Sequence, residues 1–354
     1  MRAVTHPPTR VAASSVVARL LAENRHYDAQ YGGGASNHLS MTLLALRALG
    51  ASDTRLAAYA ARYRTKLEGV PAPASEPIAR ASWRDHLGTH ARYADYVAFF
   101  RGELAEREAP GLVTEYLAPL LPGVSAAAFH PLIRLSYAVE AGDAEDIAVS
   151  LAYLADAYLV LGEVAAPTSS DGGPIELLHR LAATSTLANR SFSEGLIFDR
   201  FVAISRLPDF SRVVGEVLPA TDASLTGIAA CAATLYASTR DFTALHTVTA
   251  THAMRILAPL LGDSDVECAA RHLLQAVGAA YVSIGTPSLL SREEVESLTH
   301  GASPSIASWD AIAAAAVASD DEHVIKFVYT CREEDAAYGR PLYRLLAAKK
   351  ARLA

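Results

Sequence analysis

Hydrophobic residues along the chain recur mostly at intervals of three and four, which is the spacing of one face of an α-helix. Leu43, Leu46 and Leu49 show this spacing, and Gly50 follows as a helix stop. Alternation typical of strands is scarce, with one short candidate at 281–284. We therefore predict an all-α protein of about a dozen or more helices. The periodicity predicts further helices at 143–161, 229–238, 254–261, 266–281 and 310–318.

Clusters of proline, glycine and serine predict loops at 71–77, 165–174 and 285–287. The second cluster is the strongest break and suggests a lobe boundary in the loop 165–175. Composition does not change across it, and no repeat of fixed period is visible. We predict one large helical domain, residues 1–354, in two lobes.

Composition narrows the class of protein. Hydrophobic residues make up 51% of the 354 residues and charged residues 19%, so the chain can bury a core. A net charge of -7 argues against a nucleic-acid partner. Three distant cysteines exclude a disulfide framework and fit a reduced, cytoplasmic compartment. Apolar runs are too short to span a bilayer, and we expect neither a membrane segment nor a signal peptide.

Histidines carry most of the chemical information, because the chain lacks the glycine-rich dinucleotide and phosphate motifs and the nucleophile elbow. His38 lies at the end of a glycine-rich segment that begins with Gly32 to Gly34, and no strand is predicted before these glycines. His130 precedes Pro131, which favours the first turn of a helix and places the imidazole at a helix entrance. Imidazole is the commonest metal ligand and suits iron, zinc or copper, although a lone histidine is more often structural.

Two pairs of histidines have informative spacings. His246 and His252 are six residues apart, about 240° around a regular helix, and so do not share a face. Either the helix starts after His246 or only one of the two is a ligand. His86 and His90 have the favourable spacing of four, but Gly88 between them indicates a loop and a structural role.

Lys326 lies in the apolar run Val324 to Val328 of a chain that has only four lysines among 31 basic residues. A buried lysine can lose its proton, which arginine cannot. A neutral Lys326 could be a base, a Schiff-base former or, after carboxylation by CO2, an anionic metal ligand. His323 lies three residues earlier on the same helix face. The alternative is a lysine that extends from a half-buried helix into solvent.

Five segments, in the same order, resemble the questin oxidase-like family. They are Y-G-G-G-A-S-N-H-L-S at 31–40, Trp83-Arg84 with Leu87-Gly88, F-H-P-L-I-R-L-S-Y-A-V-E at 129–140, H-T-V-T-A-T-H-A-M-R at 246–255, and H-V-I-K-F at 323–327 followed by Cys331. The family is associated with Baeyer–Villiger-like, ring-opening oxidation of anthraquinone-type polyketides with NADPH. The resemblance implies a helical fold, and a non-haem iron site with histidine ligands and a carboxylated lysine.

Carried onto this chain, the resemblance implies the metal ligands His38, His130, His246, His252 and Lys326, with Lys326 and His130 as catalytic residues. Met41 stands where the family often has a second histidine in its first motif. Aromatic side chains that could stack on a flat substrate are Tyr27, Tyr31, Trp83 and Tyr338, for which core packing is the alternative.

Three functions fit these observations. The first is a non-haem iron (Fe²⁺) oxygenase that cleaves or oxidises a polycyclic phenolic or quinone substrate with O2. The second is an NADPH-dependent Baeyer–Villiger-type monooxygenase without bound metal. The third is a non-enzymatic helical protein that binds a small molecule. A lysine in an apolar helix beside several histidine motifs disfavours the third. The helical surface is compatible with a homodimer.

Overall fold

The computed structural model of the chain describes residues 15–74, 76–162, 173–190, 192, 195–217, 225–302 and 306–354. These residues contain seventeen α-helices and two short strands, as the periodicity predicts. The helices are α1 Ser15–Asn24, α2 Leu39–Ala48, α3 Asp53–Tyr63, α4 Tyr93–Ala105, α5 Ala109–Leu120, α6 His130–Ala141, α7 Ala144–Asp156, α8 Pro174–Ala183, α9 Ile197–Ser205, α10 Pro208–Val217, α11 Leu225–Thr239, α12 Phe242–Leu257, α13 Asp263–Ser283, α14 Arg292–Ala302, α15 Trp309–Ala318, α16 Glu322–Tyr338 and α17 Pro341–Lys350.

The chain divides into two compact units. The first comprises Tyr137–Asp143, Leu290–Ala354 and the described residues of Met1–Val70. The second comprises Pro71–Ser136 and Ala144–Leu289. The predicted lobe boundary at 165–175 falls largely on residues outside those described, and the prediction of a single domain stays a prediction.

In the first unit, α16 packs against α2, α15 and α17, while α1, α2 and α3 pack against one another. Strands β1 Gln30–Tyr31 and β2 Ala35–Ser36 form a short antiparallel hairpin. The turn between them is Gly32, Gly33 and Gly34, with φ of 56°, 82° and 118°, a region that favours glycine. A strand of two residues therefore does precede the three glycines, contrary to our prediction.

In the second unit, α7 packs against α4 and α5, and α13 packs against α8, α9, α11 and α12. Arg134 and Asp146 form an ion pair of 2.8 Å there, with both side chains 1% exposed. A buried charge is tolerated in such a core only when it is paired.

Most predicted helices are confirmed, among them α2, α7, α11, α13 and α15. The strand candidate at 281–284 is wrong, because 281–283 form the last turn of α13. The helix predicted at 254–261 begins much earlier, at Phe242. Asp241 caps it by accepting hydrogen bonds from the amides of Thr243 (2.6 Å) and Ala244 (3.4 Å). None of the described helices combines the length and apolar composition needed to cross a bilayer.

A strained turn leads into α6. Ala127, Ala128 and Phe129 have positive φ of 40°, 56° and 69°. The left-handed conformation costs a residue with a Cβ atom about 1–2 kcal/mol. The turn ends at His130, the first residue of α6, as predicted from Pro131. Such strain persists where surrounding contacts impose it and is common at functional sites.

Substitution of Ala128 by glycine tests this strain. Glycine adopts the left-handed conformation without the steric cost of a Cβ atom. This gain should offset the loss of a buried methyl group and the larger conformational entropy of glycine in the unfolded state. We expect Ala128→Gly to change the free energy of unfolding by less than about 0.5 kcal/mol. Ala232→Gly, at a fully buried position inside α11, should cost about 1–2 kcal/mol. Urea unfolding measures both, and equal losses would contradict a strained turn.

Candidate functional site

His38 is fixed at the entrance of α2 in the first unit. Its amide donates to the Tyr63 hydroxyl (3.0 Å), and its carbonyl accepts from the Thr42 hydroxyl (2.9 Å). The side chain of Asn37 accepts a hydrogen bond from the amide of Leu39 (3.0 Å) and so closes the turn before the helix. The imidazole is 5% exposed. The backbone around His38 is therefore held by three hydrogen bonds before any ligand binds.

His323 lies beside His38 in the same unit. The two ring centroids are 4.8 Å apart with an interplanar angle of 75°. Each Nδ1 atom has a carboxylate nearby: Glu322 Oε1 lies 3.9 Å from that of His38, and Asp321 Oδ1 lies 3.4 Å from that of His323. Ligand-type atoms of Asp321, Glu322 and His323 lie within 4.8 Å of one another. His323 is not among the ligands predicted from the sequence, although its spacing of three from Lys326 on the same helix face is a signal for it.

Lys326 is one turn further along α16 and only 3% exposed. The alternative of a lysine extending into solvent is therefore wrong. Burial lowers the pKa of the Lys326 ammonium to about 7, although the carboxylates of Glu322 and Asp321 act in the opposite direction. Burial also lowers the pKa of the His323 imidazole, although its hydrogen bond to the Asp321 carboxylate acts in the opposite direction. The amine of Lys326 is thus neutral in much of the protein near pH 7.

His130 and His246 form a second pair, inside the second unit. Their ring centroids are 4.8 Å apart with an interplanar angle of 61°. The Nδ1 atom of His130 lies 2.6 Å from the Ala127 carbonyl oxygen, and that of His246 lies 2.8 Å from the Phe242 carbonyl oxygen. A carbonyl oxygen can only accept, so both Nδ1 atoms must donate their hydrogen. In the neutral rings the lone pair is then on Nε2, which is the state of a metal-binding histidine.

His252 differs from His246, although both lie in α12. Since α12 begins at Phe242, a helix starting after His246 is excluded, and the two histidines point in different directions. The guanidinium of Arg255 lies 3.4 Å from the Nδ1 atom of His252. A guanidinium can only donate, so this Nδ1 carries the lone pair and the hydrogen of the neutral ring is on Nε2. The positions of the hydrogen and the lone pair in the neutral His252 ring are therefore the reverse of those in His246, and the polarity of the ring is opposite in this sense.

The predicted stacking residues have different surroundings. Trp83 is 5% exposed and packs against Phe99, Phe100 and Tyr116 in the second unit, as a core residue does. The remaining three, Tyr27, Tyr31 and Tyr338, lie half-buried in the first unit. The ring of Tyr31 faces the ammonium of Lys66 at 5.4 Å, and that of Tyr338 stacks on Tyr343 at 6.4 Å.

His86 and His90 lie where the sequence placed them, in a short 3₁₀ turn and the loop after it. His90 contacts the ring of Phe198 edge-on, with centroids 5.2 Å apart.

A cavity of about 350 Å³ in the second unit is lined by none of the predicted site residues. Ile78 and Phe99 form part of its apolar wall, and Asp95 and Glu103 are acidic lining residues. Both carboxylates already accept hydrogen bonds within the protein, from Arg92 and Tyr116 among others. The candidate chemistry therefore lies with the pair of His38 and His323 and the pair of His130 and His246.

The lowered pKa of Lys326 predicts a pH-dependent stability of the metal-free protein. Between pH 6.5 and 8 the folded state loses this proton, whereas the unfolded lysine, with its ordinary pKa of about 10.4, keeps it. Because the unfolded state binds more protons, stability rises with pH, by about 1 kcal/mol over this range. Lys326→Met should abolish that share of the rise. Urea unfolding with chelator at each pH measures it, and parallel profiles of the two proteins would contradict a buried, titrating Lys326.

The chain matches a known protein family over most of its length. The model of the questin oxidase-like family matches residues 35–331. That range includes all five sequence-predicted ligands. A Baeyer–Villiger oxidase of Pestalotiopsis microspora is 26% identical over 340 aligned positions, which cover 82% of this chain and 74% of that protein. The chain therefore belongs to the questin oxidase-like family of oxidoreductases.

Proposed function

We propose that the protein is a non-haem iron oxygenase that uses O2 to oxidise or cleave a polycyclic phenolic or quinone substrate. The observation that carries this proposal is the orientation of His130 and His246, whose Nδ1 atoms both donate to backbone carbonyl oxygens. Two buried, neighbouring imidazoles whose neutral rings carry the lone pair on Nε2 are a donor set suited to iron. Membership of an oxidoreductase family supports this function over that of a non-enzymatic binding protein.

The proposed ligands are His38, His130, His246, His252 and Lys326. Local contacts support them unequally, because the Arg255 donor at Nδ1 of His252 disfavours an Nε2 ligand there. His323 is the alternative to His252, since its ring lies beside His38 and its Nδ1 faces Asp321. The chemistry of these donors therefore fits iron, with His323 in place of His252 as the better-supported fourth histidine.

Bound iron would supply the electrons that activate O2, and the protein's own residues would position and deprotonate the substrate. A neutral Lys326 has two proposed roles. It can react with CO2 to form an anionic carbamate, which releases a proton and creates an oxygen ligand, or it can accept the proton of a phenol as a base. His130, at the end of the strained turn, is the second proposed catalytic residue. Tyr31 and Tyr338 remain the proposed stacking residues, whereas the buried packing of Trp83 favours a structural role.

The second candidate is an NADPH-dependent Baeyer–Villiger-type monooxygenase without bound metal, and the name of the Pestalotiopsis relative favours it. Oxygen uptake that depends on NADPH in metal-free protein would distinguish it from the iron enzyme. A cytoplasmic location and a homodimer remain predictions.

Elemental analysis of single variants tests the ligand set. The protein is purified without a metal-affinity column and loaded anaerobically with Fe(II). We expect about one iron per chain, and loss of most of it in His38→Ala and in His246→Ala, since each removes a metal–nitrogen bond. His86→Ala, outside both pairs, is the control and should keep its iron.

The iron contents of His252→Ala and His323→Ala show which of the two residues is the fourth histidine ligand. Loss of iron in His323→Ala alone supports the alternative assignment, and loss in His252→Ala alone supports the original set. Two irons per chain, each lost in only one of His38→Ala and His246→Ala, would mean two separate sites. No iron in the parent protein would overturn the proposal.

A further inference from the structure

Phe242 is the first residue of α12, four positions before His246 and therefore on the same face of the helix. Its carbonyl oxygen accepts the hydrogen bond from His246 Nδ1 (2.8 Å). Its ring contacts the imidazole of His246 edge-on, with centroids 4.7 Å apart and an interplanar angle of 74°. Phe242 thus fixes His246 through its backbone and contacts it through its side chain.

Phe242 is 51% exposed, whereas His246 is 1% exposed. Among the large apolar side chains that the described residues expose, Phe242 alone is aromatic. Two other phenylalanines of the unit, Phe129 and Phe201, contact each other and are fully buried. An open aromatic face beside a buried imidazole is suited to a ligand that also has an apolar face.

We propose that Phe242 is a substrate-contacting residue, on whose exposed ring a planar aromatic ring of the substrate stacks beside His246. This inference rests on the proposed function, which supplies a polycyclic phenol or quinone as the substrate. Offset stacking needs only two flat π systems, and phenylalanine has no polar group that could recognise a hydroxyl. The contact therefore selects for flatness and ring area rather than for the pattern of hydroxyl groups.

Binding of 1,8-dihydroxyanthraquinone to the metal-free full chain tests this role, with absorbance titration as the readout. We expect Phe242→Ala to weaken binding about five- to tenfold. Phe242→Trp, which keeps an aromatic face, should restore it. Phe198→Ala is the matched control, because Phe198 makes a similar edge contact with His90 in the same unit (5.2 Å, 80°). The Phe198→Ala variant should bind the anthraquinone with the same affinity as the parent protein.

Four results would overturn the inference. Unchanged affinity in Phe242→Ala would show that the ring does not contact the ligand. An equal loss in Phe198→Ala, or a melting temperature lowered in Phe242→Ala but not in Phe242→Trp, would show a structural effect in place of stacking. No binding of the anthraquinone by the parent protein would overturn the substrate class of the proposed function and this inference with it. The first three results leave the proposed function intact, so the failure of the inference and that of the proposed function are distinguishable.

Discussion

The hydrogen bond from a buried imidazole Nδ1 to a backbone carbonyl oxygen is the interaction on which the site in the second unit depends. It occurs at His130 and at His246, and in each case the carbonyl belongs to the turn or helix start just before the histidine. A carbonyl oxygen accepts only, so the bond determines which nitrogen of each ring has the lone pair. The backbone thereby sets both the direction of the ring and its ability to bind a metal.

The local backbone places the two carbonyl oxygens in different ways. The carbonyl oxygen of Ala127 reaches His130 from a turn whose alanine residues are left-handed, a conformation that Cβ atoms disfavour. The carbonyl oxygen of Phe242 lies one helical turn before His246 at the start of α12, where it can accept from the Nδ1 atom of that histidine. The following threonines, at 247, 249 and 251, donate their hydroxyl groups to carbonyl oxygens three residues earlier. These bonds satisfy polar side chains that would otherwise be costly in a buried helix.

In the first unit, carboxylates rather than backbone carbonyl oxygens lie near the histidines. There the acceptors near the Nδ1 atoms of His38 and His323 are carboxylates of Glu322 and Asp321, at the start of α16. The same carboxylates oppose the effect of burial on the pKa of Lys326 and keep it near 7. One helix start therefore influences two imidazoles and one amine, and a substitution at Glu322 changes all three environments together.

The sequence by itself determined the helical class and the elements whose apolar periodicity is long and regular, and it supplied histidines and one lysine as candidate ligands. Local pattern suffices for these, because helix periodicity and residue chemistry are properties of short segments. Tertiary structure decided the start of α12 and the opposite polarities of His246 and His252. It also decided the burial of Lys326, the packing of Trp83 in an aromatic core, and the proximity of His323 to His38. The last three depend on which groups meet across distant segments. The helix start and the ring polarities depend on short-range partners such as Phe242 and Arg255, and a buried polar atom takes its state from the partner it meets, which no spacing along the chain specifies.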